Sequence, residues 1–220
     1  VLPGEQAHPV EQIFGAAAHR SVRPVAVEQQ WHHHVLRRRE GTDQVMVLED
    51  YNKGVLTVSS IEKIIKLCKS RDIIVTVDPK RNNFFEYKGV DIFKPNLKEA
   101  REGLHILAGE VDLPSMQYLH QLLFKELEHK ISLITLSEKG IFYQVDSEAR
   151  LIPTHVRNIA DVSGAGDTVI AVASLVYAAT GDVSLTAEMA NIAGGLVCEE
   201  VGTVAIDKQK LLDECKQLLN

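Results

Sequence analysis

The sequence is poor in cysteine and has no long hydrophobic run, and these two shortages exclude several classes of protein. Its 220 residues include three cysteines, an odd number without metal-binding spacing, which indicates reduced thiols rather than a disulfide scaffold. No apolar stretch reaches about 18 residues, so no transmembrane helix is predicted. The N-terminus lacks the charged start and apolar core of a signal peptide. We therefore expect a cytoplasmic protein.

Positive charge is not in excess either. The formal net charge is −6, and neither nucleic acid nor an anionic membrane surface attracts such a protein. The hydrophobic fraction of 45% and the charged fraction of 25% are typical of globular proteins. The length suits one α/β domain or two small domains. We expect no nucleic-acid partner and no membrane partner.

Lysine does not occur in residues 1–43, whereas 14 lysines follow from residue 44 onward. The first segment also holds five of the nine histidines and shows no sustained helical or strand period. Its run of histidines at 32–34 beside arginines at 37–39 suggests metal or phosphate binding, but three adjacent histidines cannot all face one ion from a regular element. We interpret residues 1–43 as an atypical segment, foreign or frame-shifted, and residues 44–220 as the folded domain. The coding DNA tests the frame-shift hypothesis. If neither of the other two reading frames encodes a strand-rich sequence, the hypothesis is contradicted.

From residue 44 onward, short buried-type strands alternate with helical patterns. Strands are predicted at 45–48, 73–77, 91–93 and 131–136, with a hairpin or meander over 141–153. Helices are predicted from a cap at Ser59 or Ser60, over 97–107 behind a cap at Asn96, and over 116–129, 165–179, 185–200 and 207–219. This alternation predicts an α/β fold with right-handed β-α-β units and a mostly parallel sheet flanked by helices. Such sheets bind ligands beyond the carboxyl ends of their strands, where polar clusters occur at 50–53, 78–80, 94–99, 137–139 and 161–167.

Residues 161–168 (DVSGAGDT) form a glycine turn that leads into an apolar helical run. Gly164 and Gly166 allow the backbone to approach a ligand closely, and the free N–H groups of a helix start attract anions. Asp167 lies in the first turn of this helix. A carboxylate among anion-binding groups suits proton transfer during phosphate chemistry, although an ordinary first-turn acid is an alternative interpretation.

The same segment resembles the D-[TV]-[TS]-G-A-G-D-[TS] motif of the ribokinase/PfkB family of sugar kinases. Residues 96–99 (NLKE) are similar to the N-x-x-E motif of that family, and residues 190–203 to its adenine-side segment. The resemblance covers about residues 44–220 and implies a ribokinase-like fold. The strand with a sugar-contacting Asp, the G-G-x-x-x-N segment and the lid strands of the family are not found in residues 1–43. We therefore expect the N-terminal part and the lid to be truncated or replaced.

Within the family, residues 48–57, 77–80, 94–96 and 164–171 are most similar to the kinases that act on D-glycero-β-D-manno-heptose 7-phosphate. The resemblance implies ATP-dependent formation of the 1,7-bisphosphate in ADP-heptose and lipopolysaccharide core biosynthesis. Many such kinases are fused to an adenylyltransferase. We expect no such domain in a chain that ends at residue 220, but a functional link to that enzyme. Two alternatives stay open: a kinase of another sugar, nucleoside or vitamin, and an inactive nucleotide-binding remnant.

Phosphoryl transfer needs an in-line acceptor, neutralised phosphate charge and a bridging metal ion. Asp167 is our candidate general base, and the N–H groups of Gly164, Ala165 and Gly166 are candidates for holding the developing charge. Asn96 and Glu99 lie one helical turn apart on one side. The resemblance implies that they organise the phosphates and Mg²⁺, with Glu99 acting through water, while a cap and a surface acid are the alternative.

The remaining candidates follow from the resemblance. Lys53, Lys80 and Asp161 are candidate substrate-binding residues. The two lysines would meet a phosphate of ATP or sugar, unless they are solvated, and Asp161 would help to hold a monovalent cation. The candidate nucleotide-binding residues are Ser137, Lys139, Gly140, Asn191, Ala193 and Gly194, with close helix packing as the alternative at Gly194. The resemblance also implies homodimers. His105, His120, His129 and His155 are expected on surfaces or helix faces.

Overall fold

A computed structural model of the protein describes residues 35–36, 45–107 and 109–219. The histidine and arginine runs at 32–34 and 37–39 lie outside the described residues. The atypical segment therefore contributes one described element, the short strand β1 (Val35–Leu36).

Six further strands and six α-helices follow in the described part of the chain. The strands are β2 (Val45–Glu49), β3 (Ile74–Asp78), β4 (Ile92–Phe93), β5 (Ile131–Thr135), β6 (Ile141–Val145) and β7 (Glu148–Ile152). The helices are α1 (Val58–Lys69), α2 (Leu97–Gly103), α3 (Leu113–Leu127), α4 (Ala165–Thr180), α5 (Val183–Val197) and α6 (Lys208–Leu218). Two 3₁₀ turns span Arg81–Asn83 and Ser137–Lys139. The predicted alternation is confirmed.

The strands form one mixed sheet in the order β1-β2-β3-β4-β5-β6-β7. Strands β2 to β5 are parallel, whereas β1, β6 and β7 pair with their neighbours in antiparallel register. The parallel arrangement is therefore confined to the centre of the sheet. Short turns join β5 to β6 and β6 to β7, and a short connection reverses the chain direction. The predicted hairpin is confirmed.

Several helix ends differ from the prediction. Asp112 caps α3, which spans Leu113–Leu127 instead of 116–129, and Asp182 caps α5, which spans Val183–Val197 instead of 185–200. Each acid accepts a hydrogen bond from the N–H three residues further on, so each helix begins directly after its cap.

The ends of α1 and α2 differ as well. Thr57, and not Ser59 or Ser60, caps α1, and the Ser60 side chain completes the capping box by accepting from the Thr57 N–H. Helix α2 is capped by Asn96 as predicted but ends at Gly103 instead of residue 107. His105 adopts φ 56°, and Ile106 N–H donates to Arg101 O, so a Schellman-type turn terminates the helix.

Helices cover both faces of the sheet. One core joins α1 and α3 to the sheet through Leu48, Ile61, Val77, Phe93 and Leu123. The other face packs against α4 and α5, and α6 packs on α5. Because neighbouring residues in a strand face opposite sides, Ile92 and Phe93 belong to different cores. No helix of the described part is long and apolar enough to cross a membrane.

Two histidines lie in the core, which corrects the expectation of surface positions. His120 and His129 are buried, and both approach the Ser132 hydroxyl, at 2.9 Å from Nδ1 and 2.6 Å from Nε2 respectively. Nδ1 of His129 has no hydrogen-bond partner among the described residues. Burial lowers the pKa of the His129 imidazole to about 3, so the ring is neutral at neutral pH. The pKa of His120 is lowered as well, also by burial.

This buried imidazole predicts acid sensitivity. A histidine in the unfolded chain binds a proton near pH 6.5, whereas folded His129 does not until about pH 3. The free energy of unfolding should therefore fall as the pH decreases below 6.5, by up to about 1.4 kcal/mol per pH unit. His129→Gln should make this decline shallower in urea unfolding at pH 6.5 and 4.5. The exposed His105→Gln is the matched control. An unchanged decline in His129→Gln would contradict the prediction.

Candidate active site

Polar side chains follow three neighbouring parallel strands, and the start of α4 packs beside them. Glu49 ends β2, Asp78 ends β3, and Lys94 follows β4. Glu49 and Asp78 are paired in the parallel register, and α4 packs against both β2 and β3. The carboxyl ends of these strands therefore meet the first turn of α4, the position where open α/β sheets bind ligands.

Asp167 is the third residue of α4 and is half-buried. The Tyr51 hydroxyl donates a hydrogen bond of 2.8 Å to its Oδ2 atom. The side chain of Asp167 has no second hydrogen bond with the described residues. Its Oδ1 atom is therefore available to accept a proton from a bound group.

The residues before Asp167 form the N-terminal end of α4, where backbone N–H groups lack intrahelical acceptors. Gly164 caps α4 with φ 79°, and a Cβ there would lie 2.9 Å from Cγ2 of Thr203, so glycine suits both the torsion and the contact. The first helical bond runs from Thr168 N–H to Gly164 O. The N–H of Ala165 already donates to Val162 O at 3.3 Å, a long bond. Of the expected donors, Gly166 thus begins the helix without an intrahelical acceptor.

Two lysines and two acids form a network beside this turn. Lys94 is 2% exposed, and its Nζ lies 3.0 Å from Oδ2 of Asp78. Lys80 Nζ lies 2.9 Å from Oδ1 of Asp78 and 2.8 Å from Oε1 of Glu99. A Cβ added to Gly166 would lie 3.6 Å from Lys94 Nζ, so the buried ammonium contacts the helix start. The site therefore combines a helix N-terminus with two lysines held by acids.

Asn96 and Glu99 form a reciprocal capping box. Glu99 N–H donates to Oδ1 of Asn96, and Asn96 N–H donates to Oε2 of Glu99, both at 2.8 Å. Both side chains thus cap α2, and Glu99 also accepts a hydrogen bond from Lys80 Nζ. A capping role and a role in organising phosphates are compatible for this motif, because the cap fixes Glu99 near the carboxyl ends of the strands.

Glu49 is a buried acid that the network does not neutralise. It is 6% exposed and makes no hydrogen bond or ion pair with the described residues. Burial, followed by repulsion from Asp167 and Asp78, raises the pKa of Glu49 to about 7. Lys94 and Lys80 lower it by smaller amounts. The carboxyl end of β2 therefore carries an acid that is close to half-protonated at neutral pH.

This raised pKa has a stability consequence. Folded Glu49 keeps its proton up to about pH 7, whereas the unfolded chain loses it near pH 4.5, so the free energy of unfolding falls across this window. Glu49→Gln should therefore stabilise the protein at pH 8, by roughly 2 kcal/mol, and much less at pH 4. Urea unfolding at both pH values checks this. Glu62→Gln on the exposed face of α1 is the control, and equal gains at both pH values would argue against the assignment.

Asp161 anchors the glycine turn instead of facing open solvent. Its Oδ1 accepts from the N–H and hydroxyl of Ser163, at 2.9 and 2.8 Å, and its Oδ2 accepts from Gly202 N–H at 3.1 Å. These bonds lower the pKa of Asp161, those from Ser163 most. The backbone N–H groups of Ala160 and Asp161 also approach Cys198 O. The carboxylate therefore joins the turn before α4 to the loop after α5.

Arg157 secures the same loop from the other side. Its side chain is 6% exposed and pairs with Glu199 at 3.0 Å and with Glu214 at 2.6 Å. Glu199 follows α5, and Glu214 lies on α6. The segment that precedes the glycine turn is thus tied to both helices, which restricts the movement of the turn.

Other predicted residues lie after β5, in the turn that leads to β6, and in the loop after β2. Ser137 and Lys139 are exposed just after β5, where Thr135 bridges to Asn96. Gly140 is buried in the turn with φ 95°, and a Cβ there would lie 2.0 Å from Ile152 O. Lys53 is exposed in the loop after β2. Ser137 and Lys139 therefore line the same edge as Asn96, whereas Gly140 shapes the turn.

Two candidates on α5 serve packing contacts in the structure. Asn191 Nδ2 donates to Pro153 O at 2.9 Å. Gly194 is buried, and a Cβ there would lie 2.7 Å from Cγ2 of Val169, so glycine allows α5 to approach α4. Close helix packing thus accounts for Gly194 without a ligand. Contact of either residue with a nucleotide stays a prediction.

Four site residues were not among the sequence-based candidates: Glu49, Tyr51, Asp78 and Lys94. Their signal was present, because each lies at or just after the carboxyl end of a predicted strand. Residue type alone does not distinguish them from solvated polar residues at strand ends. These residues come together because β2, β3 and β4 pair in parallel and their carboxyl ends are buried.

The donor set suits a hard cation. Within residues 35–36, 45–107 and 109–219, no three acidic, histidine or cysteine side chains are arranged as a metal site. Glu49 and Glu99 nevertheless present oxygen donors at one edge, and Glu49 has no compensating cation in contact. Mg²⁺ is commonly bound through one or two carboxylates, waters and substrate phosphates, so these residues fit it.

Comparison with known sequences agrees with this arrangement. The profile of the pfkB family carbohydrate kinases matches residues 21–210. The match begins inside the segment 1–43, in which we found none of the N-terminal motifs of the family. The bifunctional protein HldE of Sulfurimonas denitrificans is 38% identical over 164 residues, which are 73% of this chain and 33% of that protein. The chain thus spans about a third of the length of the curated relatives it matches.

Solved structures share the fold at low identity. Phosphofructokinase-2 from Escherichia coli in complex with potassium matches with a TM-score of 0.70 and 15% identity, over 80% of this chain and 58% of that chain. Arabidopsis thaliana ribokinase complexed with ribose and ATP matches with a TM-score of 0.66 and 19% identity, over 77% and 55% respectively. These similarities confirm the ribokinase-like fold.

Proposed function

We propose, since this chain belongs to the pfkB family of carbohydrate kinases, that it transfers the γ-phosphoryl group of ATP to a sugar hydroxyl. One observation carries the proposal: Asp167 stands in the first turn of α4, beside N–H groups and two lysines that can face phosphate. A base and an anion site at the same helix start are what phosphoryl transfer requires.

In this mechanism Asp167 accepts the proton of the attacking hydroxyl on its Oδ1 atom. The N–H groups at the start of α4, those of Gly164 and Gly166 first, hold the negative charge of the transferred group, and Ala165 joins them if its long bond opens. Lys94 adds a fixed positive charge behind Gly166. Lys80, held by Asp78 and Glu99, lies further along the same edge and binds a phosphate oxygen of ATP or sugar.

Mg²⁺ and the nucleotide complete the proposed site. Glu99 would hold Mg²⁺ through water, with Glu49 and Asn96 nearby, and the ion would neutralise charge on the phosphates. Ser137 and Lys139 would line the nucleotide, with Gly140 shaping their turn. Asn191, Ala193 and Gly194 would border the adenine from α5. Asp161 would act on a monovalent cation through the loop it anchors, since both its carboxylate oxygens already accept hydrogen bonds.

The sugar we propose is D-glycero-β-D-manno-heptose 7-phosphate, phosphorylated to the 1,7-bisphosphate. The residues that resemble the heptose kinases and the identity to HldE support this choice. Lys53 and Lys80 are the candidate cations for the 7-phosphate, and either could instead meet a phosphate of ATP. The reaction would serve ADP-heptose and lipopolysaccharide core synthesis in the cytoplasm, together with an adenylyltransferase and as a homodimer.

Replacing the base tests the mechanism. Asp167→Asn should lower kcat by about 10²- to 10⁴-fold, because it removes the proton acceptor, and should change the Kd for ATP little. ADP release and calorimetric titration with ATP measure the two effects. Asp182→Asn, at the cap of α5 beyond the far end of α4, keeps a capping side chain and is the matched control. A near-normal rate in Asp167→Asn would exclude Asp167 as the base.

A substrate panel tests the choice of sugar. ADP release should be fastest with the heptose 7-phosphate and at least about tenfold slower with fructose 6-phosphate or ribose, since a site built for one sugar penalises others by a few kcal/mol. Preference for another acceptor would retain the kinase and reject the heptose. ATP binding without ADP release on any acceptor would instead indicate a nucleotide-binding remnant, which the missing N-terminal motifs favour as the second candidate.

A further inference from the structure

Tyr51 contacts the proposed base and has no role in the mechanism described above. Its hydroxyl lies 2.8 Å from Oδ2 of Asp167, although 116 residues separate the two in sequence. This is the hydrogen bond that the Asp167 side chain makes within the described residues. One carboxylate oxygen of the base is therefore held, while the other is free.

The charge environment keeps Tyr51 a hydrogen-bond donor. Burial of the hydroxyl and, next, its bond to the Asp167 carboxylate raise the pKa of Tyr51 well above its usual range. The negative charges of Glu49 and Asp78 act in the same direction. The phenol therefore stays protonated throughout the neutral and mildly alkaline range, even though 41% of the residue is exposed.

The neighbours of Tyr51 hold its backbone in place. Asp50 N–H donates to Asp78 O at 3.1 Å, which extends the pairing of β2 and β3 by one residue. The buried Asp50 carboxylate accepts from the Tyr87 hydroxyl at 2.7 Å, from Asn83 Nδ2 at 2.9 Å and from Asn52 N–H at 2.8 Å. A residue anchored on both sides in this way can fix the orientation of the group it contacts.

We propose that Tyr51 is a positioning residue for phosphoryl transfer: its hydroxyl holds Oδ2 of Asp167 and leaves Oδ1 to take the proton of the acceptor hydroxyl. The inference rests on the proposed function. Tyr51 gives up no proton in the reaction, since the proton moves from the acceptor oxygen to Oδ1 of Asp167. Meanwhile the acceptor oxygen forms its bond to the γ-phosphorus of ATP, and the bond from that phosphorus to the bridging oxygen breaks and releases ADP. A carboxylate that rotates freely would spend part of its time with neither oxygen directed at the acceptor.

The test compares Tyr51→Phe with Tyr118→Phe in the full chain. Both variants lose only a phenolic oxygen, and Tyr118 is 59% exposed on α3, away from the site. We expect Tyr51→Phe to lower kcat by about 10- to 100-fold, with the KM and Kd for ATP changed less than about twofold. Tyr118→Phe should match the unmodified protein in all three measurements. Thermal unfolding of both variants confirms that they fold.

The outcomes separate this inference from the proposed function. If the unmodified protein turns over and Asp167→Asn does not, a Tyr51→Phe variant with unchanged kcat overturns the positioning role alone. If Tyr51→Phe changes ATP affinity and kcat in proportion, Tyr51 contributes to binding and the inference is again overturned. If the unmodified protein shows no turnover with any acceptor, the proposed function itself fails.

Discussion

The parallel pairing of β2, β3 and β4 is the constraint on which the rest of the site depends. It brings Glu49, Asp78 and Lys94 to one edge, because parallel strands end on the same side of a sheet. Packing of α4 against β2 and β3 then places the first turn of that helix, and Asp167 with it, beside the same edge. Neither the base nor its neighbours could be assembled by local structure alone, since they come from four separate parts of the chain.

Charge compensation at this edge is uneven, and the unevenness suits a site for phosphate and metal. Lys94 pairs with Asp78, and Lys80 pairs with Asp78 and Glu99, so attraction to these acids offsets part of the desolvation cost of keeping two cations close to the helix N-terminus. Glu49 has no such partner among the described residues, and its raised pKa reports the cost of burying a lone acid. Strongly perturbed acids of this kind cluster at functional sites, and an arriving cation would offset the cost.

The glycine turn before α4 is held in place by an acid other than the proposed base. Asp161 uses both oxygens to bind Ser163 and Gly202, and Arg157 ties the preceding loop to α5 and α6. These contacts restrict the turn without any ligand. A preorganised turn is what a group of N–H donors needs in order to stabilise charge without reorganising during a reaction.

Hydrophobic period, capping residues and glycine turns act over a few neighbouring residues. The alternating architecture, the cap at Asn96, the hairpin and the helix start that carries Asp167 could therefore be predicted from the sequence. Local patterns failed where distant contacts decide. The contact of Tyr51 with Asp167 and the burial of His120 and His129 around Ser132 depend on how separate elements pack. The choice between packing and ligand contact at Gly194 likewise depends on how closely α5 approaches Val169. These features follow from the fold as a whole, since a side chain acquires its partner and its dielectric surroundings when the sheet and the helices close on it.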